Sequence, residues 1–242
     1  GDTVHPLDWG QYGDLQLGDY RKAQTWIERL EMVINESERQ SRAVSALSLL
    51  KARYVVETEE WAIAEVTEES SLPELLATGL SAVYLEDIDT ARKAEVELAR
   101  RAADGDDRTK ITHNEVAAAI RVAEGRVVEA TLLMDEALEI VETLRLPNGA
   151  ANPVKPPYEL YGELLLALNR PEAASEKFEM SLLRMPKRAR SLLGAARAAA
   201  ASGNDATALK HYSELLSFWQ GSADHPGAEE ARHFTTQQRQ EQ

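Results

Sequence analysis

The chain has 242 residues, 43% apolar and only 6% aromatic, and its 27 basic against 41 acidic side chains leave a net charge of −14. The absence of cysteine excludes disulfides, thiolate metal sites and a cysteine nucleophile. No apolar run approaches the ~20 residues that span a bilayer, and the acidic balance argues against a surface built to neutralise phosphates.

Few aromatics and an abundance of Ala and Leu point to helix rather than sheet, and apolar residues recur at helical spacing along the chain. In chain order the pattern predicts helix pairs at about 4–36, 37–68, 72–104, 109–144, 156–184 and 187–220, with a final helix over 226–240. Tight turns within pairs are signalled by Gly18-Asp19, Glu86-Asp87, Glu124-Gly125, Asn169-Arg170-Pro171 and Gly203-Asn204-Asp205. Longer breaks fall at Ser70–Pro73, Gly105–Arg108 and Pro147–Pro157, the last carrying four prolines. The second pair is the least regular: its second helix, expected near Trp61, falls in the Glu57–Glu69 stretch, which holds six glutamates and no basic residue. No segment alternates over a strand length.

A register runs through these pairs. A small residue is followed twelve positions later by an alanine, as in Gly79 to Ala91, Ala118 to Ala130, Gly162 to Ala174 and Ala196 to Ala208. An apolar residue lies one turn after the alanine at Met134, Phe178 and Tyr212, and Ile27 holds that place in the first pair. The fullest unit reads Tyr158-x-x-Tyr161-Gly162-x-x-Leu165, then Ala174-x-x-x-Phe178, Leu182 and Pro186. This resembles the tetratricopeptide (TPR) repeat, and the step of 34 from Ala174 to Ala208 is that repeat's period. More narrowly, His5-Pro6-Leu7-Asp8-Trp9 with Tyr12 and Leu15–Gly18, Glu60-Trp61-Ala62, Val154–Leu166 and Pro186–Ser202 resemble the carboxy-terminal half of a poorly characterised bacterial TPR family. The resemblance implies an all-α fold, a right-handed TPR-like α-solenoid of about six helix pairs plus a C-terminal capping helix, in one continuous array over 1–242. It also implies a longer parent protein, exported or periplasmic if a signal peptide lies upstream of Gly1 and cytoplasmic otherwise.

The sequence contains no phosphate-binding glycine loop, no G-x-S-x-G elbow and no H-E-x-x-H helix. The expectation is therefore a non-enzymatic scaffold without catalytic residues, cofactor or metal. Its partner would be a protein or peptide bound in the concave groove that the first helices of TPR pairs line, with no nucleic acid and no membrane insertion. The expected groove residues are Leu80, Val83 and Tyr84 from the third pair and Glu115, Ala119 and Val122 from the fourth. The fifth pair supplies Glu159, Glu163 and Leu166, and the sixth supplies Arg190, Leu193 and Arg197. In that face Arg190 and Arg197 either anchor a partner carboxylate or bridge Glu159 and Glu163 across adjacent helices. A second contact face is His5, Asp8, Trp9 and Tyr12, at helical spacing on the first helix. Two alternatives are a structural or oligomerising module of a longer protein and a metal or small-ligand site. His225, Glu229 and His233 on the last helix would serve the latter.

Overall fold

A computed structural model of the chain describes residues 4–36, 40–146, 151–219 and 225–240, and of Val4, His5, Glu36, Gln40 and Ser41 the backbone alone. Among the described residues there are twelve helices and no strand. They are α1 (Val4–Gln16), α2 (Tyr20–Glu36), α3 (Gln40–Thr58), α4 (Leu72–Tyr84), α5 (Ile88–Ala102), α6 (Asp107–Ala123), α7 (Val127–Thr143), α8 (Pro157–Ala167), α9 (Pro171–Arg184), α10 (Ala189–Ala201), α11 (Asp205–Phe218) and α12 (Pro226–Gln240). Sequence-adjacent helices pack on one another in succession, so the fold is an all-α, solenoid-like array.

The chain divides into two compact units. The first comprises Gly1–Tyr12, Tyr20–Arg145 and Ala151–Pro157, and the second Gly13–Asp19, Leu146–Ala150 and Tyr158–Gln242. In the first unit α2 packs on α3, α3 on α4, α4 on α5, α5 on α6 and α6 on α7, and α4 also touches α6. The second unit stacks α9 on α10, α10 on α11 and α11 on α12.

Five helical hairpins close in the same way. Each first helix ends in one residue of left-handed backbone: Gly18, Glu86, Gly125, Asn169 and Gly203, with φ between 55° and 74°. The next amide then reaches back five residues, as Asp87 N to Ala82 O (2.8 Å), Arg126 N to Arg121 O (2.8 Å), Arg170 N to Leu165 O (2.9 Å) and Asn204 N to Ala199 O (2.8 Å). This satisfies the orphan carbonyls of the ending helix and turns the chain through a tight reversal. Asp87 and Asn204 then cap the following helices through Thr90 N and Thr207 N.

The small-residue register is what lets the hairpins close. Gly79, Ala91, Ala118, Ala130, Ala174, Ala196 and Ala208 are all buried, as are Ile27, Met134, Phe178 and Tyr212. In the second unit the Phe178 ring lies against both Gly162 of α8 and Gly194 of α10. A Cβ at Gly162 would stand 2.8 Å from it, and one at Gly194 would overlap it. In the first unit Gly79 brings α4 onto Val116 of α6, where a Cβ would meet Cγ1 at 2.7 Å.

The helix expected near Trp61 does not form. After α3 the chain turns at Glu59 (φ 59°) and residues 59–71 are a non-helical strap. Glutamates at i, i+3 and i, i+4 (Glu57/Glu60, Glu65/Glu68, Glu65/Glu69) would repel one another in a helix, and β-branched Ile63, Val66 and Thr67 lower its propensity. The strap runs back along α4. Trp61 stacks on Tyr84 at the end of α4 (centroids 4.3 Å apart, planes 7° apart), and Ala62 N donates to Ser81 Oγ (3.3 Å). At the other end Arg101 donates to the carbonyls of Ser70 (2.7 Å) and Glu68 (2.8 Å). Ser71 and Glu74 then start α4 with a reciprocal capping box.

Candidate functional site

The residues expected to line a groove have different fates. Leu80 (1% exposed) and Glu115 (2%) are buried within the first unit, so neither is presented to a partner. Leu80 sits in the small-residue seam where α4 meets its neighbours, and Glu115 lies on the buried face of α6. Glu159 is fully buried in the second unit. Its carboxylate accepts two bonds from Arg188, Nε to Oε2 at 2.7 Å and Nη2 to Oε1 at 3.1 Å, and a third from Ser191 Oγ at 2.6 Å. Ser181 extends the network to Ser191 at 2.8 Å, and all four residues are at most 1% exposed.

Of the expected cross-helix bridges, Arg190–Glu163 forms at 3.9 Å, with Arg190 6% exposed. Glu159 takes Arg188 instead of Arg190: Arg188 precedes α10 and reaches the carboxylate with its Nε and Nη2. Arg197 instead pairs with α12. It grips Glu230 of α12 bidentately (2.6–3.0 Å), and Glu230 also accepts a 2.5 Å bond from Tyr212 Oη. Burial pushes the Glu230 carboxyl up, but the bonds from Arg197 and Tyr212 outweigh it and hold the group below the usual carboxylate range. Burial and then the adjacent carboxylate raise the Tyr212 phenol above its ordinary value.

On α1 the side chain of His5 lies outside the described residues. Asp8 forms an ion pair with Arg53 of α3 at 2.6 Å, and Tyr12 is buried with its ring 5.9 Å from the Arg53 guanidinium. Arg53 itself is fully buried and donates further to Gln11 Oε1 (3.3 Å) and to the carbonyl of Ala151 (2.9 Å). Asp8 and Tyr12 are thus structural parts of the first unit, while Trp9 stays 40% exposed. His225, 4.3 Å from Trp219, accepts from Gly227 N through Nδ1, whereas Glu229 and His233 are exposed. Among the described residues no group of three or more His, Asp or Glu side chains is placed to hold a metal ion. None of the described helices is long and apolar enough to cross a membrane.

Two surface features remain. In the second unit a cleft of about 630 Å³ opens between α9, the end of α10 and the start of α11, lined by Glu172, Glu176, Glu179, Met180, Ser202 and Asn204. Glu179 is already engaged with the buried His211 (Nε2 to Oε1, 2.7 Å). In the first unit the strap and the end of α4 present an apolar face: Tyr84 is 45% exposed, Leu85 51% and Ile63 39%, beside the half-buried Trp61. Between the strap's two anchors, the amides of residues 63–66 donate no hydrogen bond to any described residue. Tyr84 is thus the one apolar member of the expected groove set that is exposed, while Val83, Val122 and Leu166 are partly buried. The sequence placed Trp61 near an expected acidic helix and within the Glu60-Trp61-Ala62 stretch, and its stacking on Tyr84 depends on that helix being absent.

No family model matches the chain, and no curated protein or solved structure matches it either.

Proposed function

We propose that this chain is a non-enzymatic interaction module, a TPR-like helical array that binds a segment of a partner protein on the face formed by the strap and the end of α4. The observation that carries this reading is the Trp61–Tyr84 stack with exposed Ile63 and Leu85 beside it. Exposed apolar and aromatic surface of this kind, in a protein whose other aromatics largely pack inward, is where a partner gains most from burial. The strap is tied at both ends, so little ordering is required on binding. Its unclaimed amides offer an extended partner main-chain bonds. The TPR likeness is supported by the seating of Phe178 between Gly162 and Gly194 and by the recurrent hairpin closure.

Peptide display from a random library tests the reading. Selection on the whole chain should enrich related sequences, and these should fail to bind a Tyr84→Ala, Leu85→Ser double variant. No enrichment, or enrichment that the double variant shares, would contradict it.

A further inference from the structure

We infer that the segment docking on this face is cationic: a stretch with Lys or Arg on either side of an aliphatic or aromatic residue. This rests on the docking face just proposed and adds the chemistry of the partner.

The argument is one of charge around an apolar centre. Between Arg53 and Arg92 the chain has ten acidic residues and no basic one, so this run supplies most of the net charge of −14. The run is also the part of the chain that forms the face. Glu59, Glu60, Glu65, Glu68 and Glu69, which flank Trp61 and Ile63 along the strap, are exposed, and so is Glu86, which follows Leu85 in the chain. Arg101, which reaches the strap, is committed to Glu97 and to the carbonyls of Ser70 and Glu68, and the neighbouring Arg100 is paired with Glu97.

Such a field repels nucleic acid and anionic lipid, and it attracts cations before contact is made. An uncharged apolar segment would gain the contact but not the approach. An acidic one would be excluded, since like charges set opposite each other cost affinity. A lysine or arginine stem can also lie along the aromatic stack while its head stays among the carboxylates in water.

The test uses the whole chain and four labelled peptides of equal length, alternating Lys/Leu, Gln/Leu, Glu/Leu and Lys/Gly, followed by fluorescence anisotropy. The Lys/Leu peptide should bind best, and its affinity should fall roughly fivefold or more between low and physiological salt. Ile63→Ser with Leu85→Ser, both at exposed positions, should weaken it roughly tenfold. Glu65→Lys with Glu68→Lys should weaken it to a similar degree, with the helical circular dichroism unchanged. If Gln/Leu binds as tightly and ignores salt, the inference fails while the docking face stands. Binding of Lys/Gly as tight as Lys/Leu, or of Lys/Leu unchanged in both variants, overturns the apolar seat and with it the inference. If no peptide binds, the inference and the docking face fail together.

Discussion

At the scale of single residues, the ionisable groups that looked functional in the sequence turn out to be structural. Glu159 could be recognised as one of a carboxylate pair on α8, but its partner could not, because Arg188 lies 29 positions away and its reach depends on how α10 begins. Removing one member of a buried pair leaves the other desolvated and uncompensated. Arg188→Ala should therefore lose about 3–5 kcal/mol of stability in urea unfolding, far more than Arg197→Ala, whose pair is part exposed. Arg53 lies two residues after Lys51 in α3, and nothing local in the sequence announced its burial or Asp8, Gln11 and the Ala151 carbonyl as its acceptors. Acid sensitivity also belongs to this scale. The bonds from Arg100, then those from Arg101, hold the Glu97 carboxyl down at about 2 from its usual 4.5. A carboxyl depressed in the folded state contributes in full above its unfolded value, and the contribution is lost as pH falls through the folded one. Stability should thus decline on acidification from about 4.5 towards 2, and Glu97→Gln should flatten part of that decline in thermal melts taken across the range.

Among the elements, the hairpins were the most legible part of the molecule. Each of the five turn signals coincides with a left-handed residue and a back-bonded amide, since this closure is a local property of a few residues. Two of the five use side chains that pay for the conformation, Glu86 and Asn169. Glu86→Gly should be neutral or stabilising by up to ~1 kcal/mol, measured by thermal unfolding, because it relieves the left-handed strain. The close helix contacts make the opposite prediction. Gly194→Ala would drive a methyl into the Phe178 ring and should cost about 1–3 kcal/mol, and Phe178→Leu in the same chain should recover part of that loss. The strap was the element the sequence concealed. Apolar spacing continues through Trp61, Ile63 and Val66, but clustered glutamates and the clamp from Arg101 decide against helix, and the clamp comes from 31 residues away.

For the whole molecule, composition indicated an all-α chain and the repeat register indicated consecutive packing, and both are present in each unit. The division into two units was not legible, because it depends on which distant helices touch rather than on the local pattern. The effect of net charge is equally a matter of arrangement. Ten of the acidic residues behind the value of −14 fall in the run between Arg53 and Arg92, the same run that carries the Trp61–Tyr84 stack. The most direct test of that face is amide hydrogen–deuterium exchange of the whole chain with and without the Lys/Leu peptide. The amides of residues 63–66 make no hydrogen bond to any described residue, so the account predicts new protection over the strap and the end of α4, spanning 59–86. Protection over Glu172–Met180 of the α9 cleft, with exchange over 59–86 unchanged, would contradict it.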